Sequence, residues 1–415
     1  MFHMRSGIKM RHGVLLGLCM LIVGVALTAG AQHYCQSAQI GGHVIIDNSK
    51  AVNPGYMLVT PYYIDPNLDG TSGEADLINE QGIIVHSWRL SAPVLYAVLR
   101  DNGNIVVELS PPGGPTGTMK VPGSTGIIEE LDWSGKVLWH YEDPEMFGIF
   151  TLLPDGGLAY LKWDKAPAGF SNNVVGGTGP TNQDVMTQAI VVLDDNRKVK
   201  SVWHMYEHLN PKEYPISQFV PRLDWSHTNS IDYAADNPIS HTPAFLLSLR
   251  HSSTVILVDA KTGAVVWKSP AGKFSLQHDA SMLENGDIML FDNGLFRQGV
   301  TLLKSAVVEF DPRTDRAVWN FNGGAGLPGQ VQFASSIMGG AQRLPNGNTF
   351  ISVTATSHFY EVTKDGKVVW EYVNDFKNDD GQPSLIFMAH KYDSAGTWWG
   401  SKVVRPSLAS LACLL

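Results

Sequence analysis

Six tryptophans recur at near-regular intervals, each closing a similar segment, and this recurrence limits what the chain can fold into more than any other feature. They are Trp88, Trp139, Trp203, Trp267, Trp319 and Trp370, at the ends of QGIIVHSW, SGKVLWHY, NRKVKSVWHM, TGAVVWKS, TDRAVWNF and DGKVVWEY, with steps of 51, 64, 64, 52 and 51 residues. A repeat of this period marks an architecture assembled from like units. Each ending follows an extended run such as GIIEELD, AIVVLD, TVILVD, AVVEFD or HFYEVT, so a polar turn joins two strands into a hairpin. An earlier strand pair opens most repeats around an Asn-Gly or Asp-Gly type turn, in LRDNGNIVVEL, LLPDGGLAYL, MLENGDIMLF and RLPNGNTFIS.

Four strands per repeat with almost no helical periodicity predict an all-β, six-bladed β-propeller. A large sandwich or a β-helix fits four-strand units of this length poorly. The first repeat lacks an opening strand, and LIFMAHKY at 385–392 is expected to supply it, closing the ring by joining the end of the chain to its start. The propeller is thus expected over 55–392, between an N-terminal extension at 32–54 and a tail at 393–415.

The 415 residues exceed one ordinary compact core but suit a ring in which every blade adds its own packing layer. Residues 1–31 read as a secretory signal: Arg5, Lys9 and Arg11 precede an apolar run from Val14 to Leu27, and Ala29-Gly30-Ala31 offers a cleavage site. The uninterrupted run is short for a membrane anchor, so no stable span is expected after cleavage and the protein is expected to be periplasmic or secreted. Removing three basic residues takes the net charge from -9 to -12, a sign that argues against nucleic acid as partner. Cys35 and Cys413 would remain, one near each end, and could pair in an oxidising compartment. The Gly/Asn/Thr/Pro-rich insertion from Ala166 to Val185 reads as a disordered segment or a contact loop.

A propeller lines its axis with the first strand of each blade. Aligned on the leucines before the turns, Leu153, Leu283 and Leu344, the positions five residues upstream are Gly148, His278 and Gly339. His227 falls at the equivalent place in HTNSIDY, five residues before Asp232. Two histidines in register at the starts of inner strands make a stronger pattern than a lone structural histidine. Asn229 shares the face of His227 by strand alternation. One hairpin away, Arg250 in FLLSLRHS and Asp292-Asn293 in IMLFDNG occupy matched positions.

WSHTNSIDY, LLSLRHSSTVILVDAKTGAVVW, QHDASMLENGDIMLFDNG and AQRLPNGNTFISVTATSHFYEVTKDGKVVWEYVN together resemble the arylsulfate sulfotransferases, from about Gly55 to about Tyr392. The resemblance implies a six-bladed periplasmic propeller. Its implied reaction moves a sulfuryl group from a phenolic sulfate ester to a phenol through a sulfated histidine, with no nucleotide sulfate donor, metal or other cofactor. It makes His278 the nucleophile and gives His227 and Arg250 the holding of sulfate and assistance to proton transfer. Asn229, Asp292 and Asn293 are the accompanying substrate-binding candidates. The family places a further histidine before an LPNG turn where this chain has Met146-Phe147-Gly148-Ile149-Phe150. That departure supports a rival reading, an exported binding or scaffold propeller that has lost catalysis. A quinoprotein is a third, since VDAKTGAVVW resembles that group's tryptophan-docking repeat, but only one clean copy is present.

Overall fold

The computed structural model describes residues 41–403 except 63–72, 298, 300–301, 324–332, 378–380, 382–383, 396, 398–399 and 401. The expected signal segment, residues 32–40 of the N-terminal extension, the Cys35 and Cys413 pair and residues 404–415 of the tail lie outside the described residues.

Six four-stranded antiparallel sheets follow one another as blades. From the innermost strand outward, blade 2 is Val94–Leu99, Ile105–Leu109, Ile127–Leu131 and Val137–Glu142. Blade 3 is Met146–Leu152, Leu158–Lys165, Met186–Leu193 and Val199–His204. Blade 4 is Thr228–Ala234, Ala244–Leu249, Thr254–Asp259 and Val265–Lys268. Blade 5 is His278–Met282, Ile288–Asp292, Ala306–Asp311 and Arg316–Phe321. Blade 6 is Gly340–Arg343, Thr349–Val353, His358–Val362 and Val368–Asn374, with Gly42–Asp47 added as a fifth, outermost strand. Blade 1 combines Tyr56–Val59, Gly73–Ile78 and Ile84–Leu90 with an inner strand from the far end of the chain, His390–Tyr392. Both ends of the described chain therefore close the ring, and the opening strand expected from LIFMAHKY is the one that pairs with Tyr56–Leu58.

The burial of each strand follows its place in the blade. Second and third strands are covered on both faces by neighbouring blades, so they are near-continuous apolar runs: Ala244–Leu249 and Thr254–Asp259 are buried at every position. Outer strands such as Val137–Glu142 are largely exposed. The turn before each outer strand is built on one side chain. Asp132 accepts from the N–H groups of Ser134 and Lys136, Asp194 from those of Asn196 and Lys198, and Asn79 from those of Gln81 and Ile83. This Asx turn is the physical content of the repeated polar turns.

The closing tryptophans are seam residues more than core. Trp88 and Trp370 are buried, but Trp139, Trp203, Trp267 and Trp319 keep part of their surface in solvent. Four of the six indoles donate their N–H to a carbonyl in the next blade: Trp88 to Asp132, Trp203 to Gly263, Trp319 to Lys364, and Trp370 to Glu80, which closes the circle. An amphipathic ring is suited to such a half-wet place.

The insertion at 166–185 is part of the folded structure, against the expectation of disorder. Its 3-10 turn Phe170–Asn173 and strand Gly176–Thr178, which runs parallel to Ile216–Pro221, are pinned by the buried Arg222. That guanidinium donates to the carbonyls of Ser171, Val174 and Gly176, acceptors that a loop without secondary structure of its own would leave to water.

Candidate active site at the start of the inner strands

The inner strands of blades 3, 4 and 5 share an irregular start. Their ladders break between Met146 and Phe150, Thr228 and Ser230, and His278 and Ser281. Left-handed backbone occurs at the break, with φ of 89° at Gly148, 45° at His227 and 52° at Asp279. Such bulges re-aim side chains next to functional sites. Here they turn His227 and His278 out of plain strand alternation.

His278 is buried, and its ring is held at both nitrogens. Nδ1 lies 2.7 Å from Asn293 Oδ1, and the Met338 N–H donates to Nε2 at 3.2 Å. Asn293 is anchored in turn, because its Nδ2 donates to the carbonyls of Ser335 and Met338, each at 2.9 Å; this assigns Oδ1 as acceptor and Nδ1 of His278 as the protonated nitrogen. Burial, followed by the positive charge of Arg250, holds the His278 ring far below the usual imidazole value, so it is neutral with its lone pair on Nε2.

Asp224 organises a second group. Its carboxylate accepts from Nδ1 and from the backbone N–H of His227, while the His251 Nδ1–H donates to the Asp224 carbonyl at 2.7 Å. The rings of His227 and His251 stack with centroids 4.6 Å apart, and Phe147 meets His227 edge to face at 5.0 Å. Burial alone would raise the Asp224 carboxyl, but the charge and hydrogen bonds of His227 and the charge of His251 outweigh it and keep it below its usual value. Burial, then the proximity of His227, pushes His251 down to about 3. Arg250 is pushed down to about 10 by burial and so remains a cation at neutral pH. Among the described residues its guanidinium makes one hydrogen bond, a long one of 3.5 Å to the Ser336 carbonyl, which leaves most of its fork of donors available.

The remaining sequence-predicted residues divide. Asn229 is buried and donates from Nδ2 to the Gln277 carbonyl at 2.9 Å, tying blade 4 to the strand that carries His278, while its Oδ1 has no partner among the described residues. The Asp292 carboxylate is occupied by the N–H groups of Ser275 and Gly294 and by Arg297, so it clamps the loop beyond its strand. Sequence reasoning passed over His251 and Asp224. The signal for Asp224 was present in LDWSHTNS, an acid three residues before the histidine. His251 gave none, since only the β-hairpin places it under His227. At Gly148, where the resemblance implied another histidine, an added Cβ would meet only ordinary contacts, the nearest 3.5 Å away at the Asn229 carbonyl. Space is therefore no obstacle there, but the left-handed backbone favours glycine.

Among the described residues Asp224, His227 and His251 are the set able to hold a metal ion, with one ligand atom from each lying within 4.8 Å of the others. Both Nδ1 atoms are already committed to Asp224, so a bound ion would have to replace those hydrogen bonds or use the Nε2 atoms.

The fold and this cluster define a six-bladed β-propeller whose inner hairpins gather three histidines and an arginine at one end. Residues 171–375, just under half of the chain, match the model of the arylsulfotransferase (ASST) family. The matched span contains His227, Arg250, His251 and His278 and ends before the closing strand. Similar solved structures include a protein of unknown function from Bacteroides caccae, 15% identical over 82% of this chain and 99% of that one with a TM-score of 0.49. The Dos1 propeller is 11% identical over 84% of this chain and 78% of its own, with a TM-score of 0.39. AztD from Citrobacter koseri is 10% identical over 82% and 76%, with a TM-score of 0.33. No curated protein matches the chain.

Proposed function

We propose that the protein transfers a sulfuryl group from a phenolic sulfate ester to a phenol acceptor, without a nucleotide donor, through a sulfohistidine at His278. The family match supports arylsulfotransferase-type chemistry in general. The observation that carries the finer reading is the fixed, neutral His278 with its lone pair on Nε2 beside the cation of Arg250.

Sulfuryl transfer resembles phosphoryl transfer, an in-line displacement in which charge spreads over the non-bridging oxygens. The Arg250 fork would hold those oxygens. Nε2 of His278, on giving up the Met338 N–H that it accepts, would attack sulfur as the bond from sulfur to the phenolic oxygen breaks; Nδ1 keeps its proton, hydrogen-bonded to Asn293, and the sulfonate balances the positive ring. His227, held by the Asp224 carboxylate, would give a proton from Nε2 to the departing phenolate and later take one from the acceptor. Asn229 Oδ1, without a partner among the described residues, would accept a hydrogen bond, while Asn293 and Asp292 would act through the shape of the site. The expected export, as a periplasmic or secreted protein, accords with a reaction that needs no cytoplasmic nucleotide.

The test is an aryl sulfate that releases a coloured phenol, offered with and without a phenol acceptor to the wild-type protein and to His278→Ala. Acceptor-dependent release that disappears in the variant supports the reading. No release from any donor by folded protein would favour the binding propeller that Gly148 suggests. A chelator arm belongs in the same experiment: activity is expected to survive it, and loss of activity restored by a divalent cation would reassign Asp224, His227 and His251 as metal ligands.

A further inference from the structure

A cavity of about 300 Å³, at the small end of the range for ligand sites, lies along the inner strands. Five blades contribute, and the groups that matter are Asp232, Asp279, Tyr96, His390, Phe150 and Tyr233. The inner strands are buried at their starts and half-exposed at their ends, as in Met146–Leu152 and His278–Met282, so the cavity opens toward the face away from His278.

The polar groups of this cavity have capacity to spare. Asp279 is 7% exposed and uses Oδ2 to accept from the Ala341 N–H at 2.8 Å, with no hydrogen bond to its other oxygen among the described residues. Asp232 accepts one N–H at each oxygen, from Tyr233 and Met282, and a carboxylate oxygen can take a second. Tyr96 is also 7% exposed, and its hydroxyl has no hydrogen-bond partner among the described residues. Polar atoms that line an open cavity without a protein partner are free to take one from an occupant. The walls are aromatic: Tyr96 meets Phe150 edge to face at 5.2 Å and His390 at 5.8 Å. Among the described residues no lysine or arginine lines the cavity.

Two carboxylates, a spare hydroxyl and aromatic walls ask for an occupant with a flat ring and a positively charged donor. An ammonium would satisfy the acids by charge-assisted hydrogen bonds and the rings by cation–π attraction. Burial pushes Asp279 up to about 7 and raises Asp232, the cost of holding two acids without such a cation. We propose that this cavity binds a small aromatic amine, with the ammonium between Asp279 and Asp232 and the ring against Tyr96 and Phe150. This binding does not rest on the sulfuryl-transfer reading, because its groups are distinct from His278, His227 and Arg250.

The probe is 4-(aminomethyl)phenol, compared by calorimetry with uncharged 4-(hydroxymethyl)phenol and anionic 4-hydroxybenzoate. The variants are Asp279→Asn and Tyr96→Phe. Asparagine can still accept from Ala341 and tolerates the left-handed backbone, so the first variant should fold. The expected result is binding of the amine but not of the acid, weakened about tenfold or more in Asp279→Asn and less in Tyr96→Phe. Equal binding of the three phenols, unchanged affinity in Asp279→Asn, no binding of the amine, or displacement of the amine by calcium would each overturn the proposal. Turnover of plain phenol is measured in the same preparation. Transfer to phenol without amine binding sinks the cavity assignment alone, and amine binding lost in Asp279→Asn without transfer to any phenol sinks the transferase reading alone.

Discussion

At the scale of single residues the proposed chemistry turns on where protons sit. His278 is neutral because it is buried beside a cation, and Asn293 decides which nitrogen carries the proton. Asn293→Ala is therefore expected to lower turnover by about 10- to 100-fold with little change in KM, because the ring loses its tautomer and aim while substrate binding is left to other groups. Asp224→Asn should cost about 10²–10⁴ in turnover and change the pH profile, since His227 loses the carboxylate that orients it. An unchanged profile in that variant would deny His227 its proton-transfer role. Stability has its own proton ledger. Glu108 is fully buried, and burial pushes its carboxyl up to about 8 against a single hydrogen bond from Thr125. A carboxyl raised in the folded state binds its proton more tightly there than in the unfolded chain, so its contribution is complete below the ordinary value and fades as pH rises toward 8. Glu108→Gln should remove the part of the stability loss between about pH 5 and 8 that belongs to this group, of the order of 3 kcal/mol by the size of the shift; denaturant melts of both proteins across that range check it. Neutral histidines work in the opposite sense: the buried His251 and the half-buried His390, pushed down to about 3 and about 4 mainly by desolvation, lose stability for the fold as pH falls below about 6.5, where the unfolded chain takes up protons first.

At the scale of elements the blades are tied by their tryptophans and by polar clasps between inner strands. Trp203→Phe removes the indole donor to Gly263 while keeping an aromatic ring, and should cost about 1 kcal/mol in a denaturant melt. Arg222→Ala should free the 166–185 insertion, read as rapid proteolytic nicking there at unchanged overall fold, because three backbone carbonyls lose their donor. The sequence carried much of this scale. Turn residues such as Asp132 and Asp194 and the paired strands around them were legible because the turn is local, made by a side chain and N–H groups two and four residues on. The order in the insertion was not legible, since its anchor, Arg222, lies about 40 residues further along the chain and an arginine carries no label saying what it holds. The irregular starts of the inner strands were hidden for a similar reason: His227 has left-handed backbone that no local pattern announces. Two histidines in register could be read from spacing, but the Asp224 and His251 network around one and the Asn293 clamp on the other required the folded neighbours.

At the scale of the whole molecule the ring is closed by strands from both ends. Lys391, on the closing strand, reaches Glu361 of blade 6 at 2.8 Å with both side chains almost wholly buried, and Glu361 also accepts from the Asn53 N–H and the Asn348 amide. Breaking one partner of a buried pair leaves a charge without compensation, so Lys391→Ala is expected to cost about 3–5 kcal/mol. Hydrogen exchange should then rise first in Gly42–Asp47, Tyr56–Val59 and His390–Tyr392, the strands that seal the ring. A closed ring matters to the chemistry because it holds the inner strands of blades 3, 4 and 5 at fixed spacing, and with them the imidazoles, the guanidinium and the cavity along those strands. The central claim is that His278 carries the sulfuryl group between donor and acceptor. Mass spectrometry of the protein after exposure to an aryl sulfate alone tests this most directly: the account predicts the gain of one sulfuryl group, located on the peptide containing His278 and lost when a phenol is added. Release of phenol with no label, or a label on any other residue, would contradict it.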